Sequence, residues 1–399
     1  MPLKIAVIGA GTMGGGIAQL ALEHGHPVRL VDLDPAALER ARLGIEERLL
    51  RRLARRGLAG AELDRTLAET LTRLVFGSGP KDAADAAVVI EAVVEVLAVK
   101  RELFGRLDQV VGSEAILATN TSALSVGAIA EAAGQHPERV VGLHFFHPAP
   151  VMPLVEVVAA PASGSAAIEA AAALVADWGR TPIRCADQPG FVVNRVNRAF
   201  TIQALRLLEA GQVTVAGLDD AVRAEGFPLG PFELMDLVGI DVNLAAATGI
   251  WEGFDRAARF RPSPIQARLV AAGRLGRKSG EGFYRYDPDG RPLGPARDFE
   301  TAARDRAATP PNRALVERIR LAIVNEAYRA LDDRVAINAA TIDLALCLGA
   351  GHPEGPFAWA RERGPAEVVA RLVSLAADDP DTFSPAAGLR QSTAAEPVG

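Results

Sequence analysis

KIAVIGAGTMGGGIAQLALEHG (4–25), with the PVRLVDLD that follows it (27–34), decides the reading of this chain. KIAVIG (4–9) is a short apolar run rich in β-branched residues, the composition of a buried strand. Gly9, Gly11 and Gly14 then fall at G-x-G-x-x-G spacing, with Thr12 and Met13 among them, and a pattern of helical period (Ile17, Leu20, Ala21) starts at once. Each glycine has a task in such a turn. The first makes it tight, the second lets backbone approach a pyrophosphate, and the third lets the helix sit close on the strand. The helix N-terminus then faces the anion. Asp32 ends the next strand, 18 residues after Gly14. A carboxylate there hydrogen-bonds a ribose 2′-hydroxyl and repels a 2′-phosphate, so the cofactor read from this stretch is NAD rather than NADP. A glycine turn with no nucleotide would leave that acid without a purpose. Arg29 alternates to the other face of the strand and is not placed to bind a phosphate.

Composition narrows the field. A chain of 399 residues holds two or three domains, and 49% hydrophobic residues supply their cores. The net charge of −6 lacks the basic footprint of a nucleic-acid partner. Cys185 and Cys347 lie far apart without ligand spacing, which fits a reducing compartment and no metal. No apolar run approaches the roughly 20 residues that span a bilayer. MPLKIAVIGAG enters the first strand directly, without a signal-peptide layout. The expectation is a soluble, cytoplasmic protein with no membrane or nucleic-acid partner.

Strands and helices keep alternating. AAVVIEAV (86–93), ILATNTS (116–122), RVVGLHFF (139–146), LVEVV (154–158) and TPIRCA (181–186) read as strands, and EVLAVKRELFGRLDQVV (95–111) as a helix. That order predicts a doubly wound, largely parallel Rossmann-type sheet with ligands beyond the carboxyl ends of its strands. Glu91, Asn120, Ser122 and His144 lie at or just past such ends. An Arg-rich helical hairpin (45–74) carries Arg51, Arg52, Arg55 and Arg56, either a solvated face or an anion site for a phosphorylated ligand. In GLHFFHPAPVMPLVEVV (142–158), His144 and Glu156 stand 12 residues apart, on strands that the Pro-rich turn can bring side by side. A buried carboxylate needs a partner. A His–Glu pair would fix the imidazole tautomer and suit proton removal from an alcohol as a hydride leaves for nicotinamide. His147, before Pro148, reads as a turn residue.

The chain resembles the L-3-hydroxyacyl-CoA dehydrogenase family, 3-hydroxybutyryl-CoA dehydrogenases included. The stretches that carry this are IGAGTMGGGIAQ, VIEAVVEVLAVKRELFGRLD, ILATNTSALSV, PERVVGLHFFHPAPVMPLVEVV, QPGFVVNR, GPFELMDLVGID and GRKSGEGFYRY, in family order over residues 4–287. The resemblance implies NAD-dependent oxidation of a 3-hydroxyacyl-CoA in fatty acid β-oxidation, with His144 as base and Glu156 as its orienting partner. It implies that Ser122 and Asn194 hold the substrate hydroxyl, that Glu95, Lys100 and Asn120 lie at the nicotinamide end, and that the Arg-rich hairpin faces CoA. Many relatives have Asn where this chain has His147, which touches the wall beside the thioester rather than the base.

QPGFVVNRVNRAFTIQALRLLEAG (188–211) reads as a long helix, with Asn194 one turn in, and helical patterns dominate from there. GRKSGEGFYRYDPDGRPLGP (276–295) reads as a boundary loop. After it a pattern recurs: residues 207–235 resemble 331–360, Val213 aligning with Ile337, Asp219 with Asp343, and the two GPF triplets after a one-residue insertion. Such a repeat means duplicated supersecondary structure. Arg318 stands where the first copy has Asn194. The expected architecture is α/β followed by all-α, with an NAD-binding domain (1–185), two copies of a helical domain (186–295 and 296–380) and a loose tail (381–399). The copies should form an internal pseudo-dimer, leaving a monomer or a dimer through another face. Two rival readings keep the scaffold: a dehydrogenase of a free 3-hydroxy or sugar acid, and a non-catalytic NAD-binding protein. The intact set of Ser122, His144, Glu156 and Asn194 argues against the second.

Overall fold

The first strand, β1 (Ile5–Ile8), is buried along its whole length. The computed structural model describes residues 2–299 and 313–394, and the chain divides into two compact units, Met1–Asp187 and Gln188–Gly399.

In the first unit β1 is flanked by β2 (Val28–Val31) and β4 (Val88–Glu91), both parallel to it. The remaining strands are β3 (Leu74–Gly77), β5 (Ile116–Thr119), β6 (Val140–Phe145), β7 (Leu154–Ala159) and β8 (Thr181–Ala186), giving the order β3-β2-β1-β4-β5-β6-β7-β8. Every neighbouring pair is parallel except β6 and β7. The order reverses between β1 and β4, so the glycine turn after β1 lies at a topological switch point, where such sheets bind ligands. The helix α1 (Thr12–Glu23) buries Gly14 through Leu22. In α2 (Pro35–Arg55), Asp34 caps the N-terminus by accepting from the Ala36 amide at 2.9 Å. Only Ala41, Ile45 and Leu49 of α2 are buried, one stripe at i, i+4 and i+8, so its arginines are left on the outer faces. The Arg-rich hairpin is completed by α3 (Gly60–Leu71), and β3 follows directly. Sequence reading ran the hairpin into this strand. At four residues, on the sheet edge and with Val75 and Phe76 exposed, β3 shows no alternation to betray it. The α4 helix (Leu97–Val110) precedes β5.

The second unit opens with α7 (Val193–Glu209), after α5 (Val126–Ala130) and α6 (Ser165–Asp177) of the first. It continues with α8 (Val215–Ala224), α9 (Pro231–Val238), α10 (Ile240–Gly253) and α11 (Pro264–Ala271). Asp219 on α8 accepts from the amides of Phe232 and Glu233, both at 3.0 Å, and so fastens the start of α9. A Cβ on Gly230 would stand 2.2 Å from the Asp219 carboxyl, hence glycine in GPF. The repeat is built the same way. Asp343 accepts from Phe357 and Ala358 at 2.7 and 3.0 Å, and Gly355 is under the same constraint.

The expected boundary loop is instead a docked hairpin of β9 (Tyr284–Tyr286) and β10 (Pro292–Pro295). Asp236 accepts from the Phe283 and Tyr284 amides and the Tyr286 hydroxyl at 2.8–3.0 Å, and the Tyr284 hydroxyl donates to Asp219 at 2.8 Å. The Gly- and Pro-rich composition concealed these anchors. In the second copy the long helix Arg313–Asp332 packs along α7. Arg195 of α7 is fully buried and joins Glu326 at 2.8 Å and Asp333 at 2.5 Å. Residues 300–312 and 395–399 lie outside the described residues.

The tail is a further correction. From Asp381 the chain was expected to be loose, yet Pro380–Phe383 and Ala387–Ala394 are helices, with Phe383 and Leu389 fully buried. Buried Asn325 holds the segment: its amide donates to the carbonyls of Thr382 and Ser384, and its oxygen accepts from Ala386. The small-residue composition gave no sign of this distant partner.

Candidate active site

At the end of β1 the glycine turn is shaped by close approach. Gly9 has φ 106°, and a Cβ on it would meet the Ala92 carbonyl at 2.6 Å. A Cβ on Gly14 would lie 1.8 Å from the Gly9 carbonyl oxygen. A Cβ on Gly11 would meet nothing within 4 Å. Its space is open, on the side from which a pyrophosphate approaches the turn. No side chain caps α1, so the amides of its first turn, from Thr12, Met13 and Gly14, have no side-chain acceptor at the cap. Asp32 accepts from the Ala10 amide at 2.7 Å and the Asp34 amide at 2.9 Å. These bonds fix the acid against the turn, and each carboxylate oxygen keeps further lone-pair capacity for ribose hydroxyls. The residues fit a dinucleotide with a free 2′-hydroxyl.

Beyond β4 and β5 stands a buried charge relay. Glu91 is fully buried. It accepts from the Lys100 ammonium at 2.6 Å, the Thr119 hydroxyl at 2.6 Å and the Val93 amide at 2.7 Å. Lys100 is 1% exposed and also pairs with Glu95 at 3.2 Å. Glu95 in turn accepts from the Thr121 hydroxyl at 2.6 Å and the Ser122 amide at 2.8 Å. Burial would raise the Glu95 carboxyl, but the Lys100 charge and these donors outweigh it and hold it below the ordinary range. Glu91 and Lys100 were expected to touch the cofactor. Both are buried, and Glu95 is the most exposed member of the set. Thr119 and Thr121 escaped sequence reading, although they alternate with Asn120 in the quoted ILATNTS.

The two histidines separate cleanly. His144 and Glu156 are direct cross-strand partners in the antiparallel β6–β7 pair. Imidazole Nδ1 lies 2.6 Å from Glu156 Oε2, with Glu156 fully buried and His144 6% exposed. An ionised carboxylate only accepts, so Nδ1 carries the proton and Nε2 is the basic nitrogen. The Phe146 ring packs on the imidazole at 4.5 Å. His147 is exposed in the turn after β6. Asn120 accepts from the Phe145 amide at 2.9 Å, tying the end of β5 to the residue after His144. Ser122 donates to Glu95 at 3.3 Å. Asn194 lies in the first turn of α7, in the second unit. Of the hairpin arginines, Arg51 pairs with Glu47 and Arg52 with Glu23, while Arg55 and Arg56 are exposed. No group of metal-binding side chains occurs among the described residues.

A dinucleotide turn and an acid-backed imidazole at the carboxyl edge of one sheet define an NAD-linked oxidoreductase acting on an alcohol. Comparison with known proteins narrows the class. Residues 4–188 match the family described as 3-hydroxyacyl-CoA dehydrogenase, NAD binding domain, and residues 190–286 and 315–395 each match its C-terminal domain. The chain belongs to the 3-hydroxyacyl-CoA dehydrogenase family. It is 46% identical to 3-hydroxyadipyl-CoA dehydrogenase of Escherichia coli (strain K12) over 283 residues, 71% of this chain and 58% of that relative. It is 40% identical to the mitochondrial hydroxyacyl-coenzyme A dehydrogenase of Sus scrofa, covering 90% of that protein. The crystal structure of 3-hydroxybutyryl-CoA dehydrogenase from Escherichia coli K12 superposes with a TM-score of 0.87 at 34% identity, over 99% of this chain and 98% of the other.

Proposed function

We propose that this protein oxidises L-3-hydroxyacyl-CoA thioesters to 3-ketoacyl-CoA with NAD. The observation that carries the reading is the 2.6 Å pair between His144 and a fully buried Glu156. Glu156 holds the proton on Nδ1 and so makes Nε2 the basic nitrogen. Nε2 takes the proton of the substrate's 3-hydroxyl, and the adjacent carboxylate stabilises the imidazolium that results. Bound NAD supplies the acceptor for the hydride that leaves C3. Ser122, steadied by Glu95, and Asn194 are proposed as contacts to the substrate oxygens. Glu91 and Lys100 act at one remove, by fixing Glu95. Arg55 and Arg56 are the free arginines of the hairpin and the better candidates for CoA phosphates, since Arg51 and Arg52 are already paired.

Relatives carry names for both 3-hydroxybutyryl-CoA and the dicarboxylic 3-hydroxyadipyl-CoA, and the group common to both is the 3-hydroxy thioester. The second helical copy covers α7 within the chain, which supports one active site per chain and no obligatory dimer through that surface. No single described helix is long and apolar enough to cross a membrane, and the two cysteines are unpaired; a cytoplasmic setting agrees with both. The test is NADH absorbance with 3-hydroxyacyl-CoAs of four to sixteen carbons and with free 3-hydroxy acids. Turnover confined to thioesters is expected, and turnover of free acids alone would overturn the reading. Asp32→Ala should narrow the preference for NAD over NADP by about tenfold or more. Comparable kcat/KM for the two cofactors in the wild type would contradict the role of Asp32.

A further inference from the structure

Two buried arginines stand three residues apart on α7, in opposite circumstances. Arg195 is met by Glu326 and Asp333, by Gln188 Oε1 at 3.1 Å, and by the Phe254 ring at 4.7 Å. Arg198 is 6% exposed. Its bonds run from Nη1 to the side-chain and main-chain oxygens of Asn243, at 3.3 and 3.5 Å, the weak end of the range. Its Nε has no partner. Among the described residues no carboxylate pairs with it, and burial alone pushes the guanidinium down to about 10. Asn243 is itself held by Gln266 at 2.8 Å, so this partner of Arg198 is neutral and fixed. A buried guanidinium without an anion is strongly unfavourable.

The duplicated unit shows that its fold does not require this charge. Position 322 corresponds to 198, by the offset that relates Asp343 to Asp219, and it is alanine, 2% exposed. The equivalent helix packs there with a methyl group. Arg198 also has a definite place relative to Asn194. It lies four residues beyond Asn194, on the same helix face and about 6 Å further along the axis.

We propose that Arg198 binds a terminal carboxylate on the acyl chain, and that the substrates are dicarboxylic 3-hydroxyacyl-CoA thioesters of about six carbons. This rests on the reading of Asn194 as a substrate contact. In a six-carbon diacid the distal carboxyl carbon lies three bonds beyond C3, roughly 4 Å when extended. That step matches the one from Asn194 to Arg198 within side-chain reach. A guanidinium holds a carboxylate through two parallel hydrogen bonds. A monocarboxylic chain of equal length would leave the buried charge unmet, which is how a polar site rejects an apolar analogue.

The experiment compares 3-hydroxyadipyl-CoA with 3-hydroxyhexanoyl-CoA, equal in carbon number and differing in the distal carboxylate. Wild-type kcat/KM should favour the diacid by about 100-fold. Arg198→Met should collapse that ratio toward one, and Arg198→Lys should restore part of it. Adipyl thioester with NADH should raise the Tm of the wild type but not of Arg198→Met, whose own Tm should equal or exceed that of the wild type. No preference for the diacid, or a ratio unchanged in Arg198→Met, overturns the proposal. So does an equal fall on both thioesters, which would place the anion on CoA or make the residue structural. Failure of wild type to turn over either thioester defeats the proposed function instead, and is distinguishable on that ground.

Discussion

The two helical copies in the second unit share a frame and differ in what they carry. Both fasten a short helix with an aspartate that accepts two backbone amides, Asp219 in one and Asp343 in the other, beside a glycine that leaves room for it. The first copy adds Asn194, Arg198 and the hairpin anchored on Asp236. The second has Arg318 and Ala322 at the two helix positions. Residues common to the copies are those the fold needs; those confined to the first are free to serve a ligand. The second copy supplies instead what the first cannot provide for itself, the carboxylates of Glu326 and Asp333 that neutralise Arg195.

Removing the second copy should break this arrangement most severely. Truncation after Pro295 removes both acids from Arg195 and uncovers that arginine together with the apolar side of α7. Sedimentation should show a dimer or aggregate. A well-behaved, fully active monomer would mean that the copies do not depend on one another.

The two aspartate locks sharpen the comparison. Asp219→Ala strands two amides and the Tyr284 hydroxyl, whereas Asp343→Ala strands two amides. Losses of about 4 and about 2 kcal/mol are expected in denaturant unfolding. The reverse order would show that the hairpin contributes nothing to the first lock.

The smallest effect concerns acid. His352 of the second copy sits 2.8 Å from Asn197 of α7, and burial, with Arg320 nearby, pushes its pKa down to about 3. The folded value lies below the unfolded one, near 6.5, so protonation favours unfolding. Its stabilising share is complete above pH 6.5 and is lost as pH falls toward 3, about 2 kcal/mol of it by pH 5. Thermal unfolding at pH 7.5 and 5 should therefore show a smaller decline for His352→Gln than for the wild type. Equal declines would remove His352 from the account.

Much of the first unit was legible in sequence because its signals are local. The glycine turn, the strand-end acid and the period-two pairing of His144 with Glu156 all depend on spacing within a few dozen residues. Burial is not local. Glu91 ends β4 and Lys100 lies on α4, and only the structure shows the two paired and buried. The 284–295 hairpin and the final helices are held by Asp236 and Asn325, remote in sequence and unmarked by any period. Arg198 is one of 43 basic residues; only its surroundings distinguish it, by the carboxylate they lack.

The central claim is that His144, backed by Glu156, is the base. The most direct measurement is kcat of His144→Gln beside His147→Asn, with NAD binding followed by calorimetry. The account predicts a fall of about 10²–10⁴ for His144→Gln with NAD affinity nearly unchanged, and most activity kept in His147→Asn. Full turnover in His144→Gln, or loss confined to the His147 variant, would contradict it.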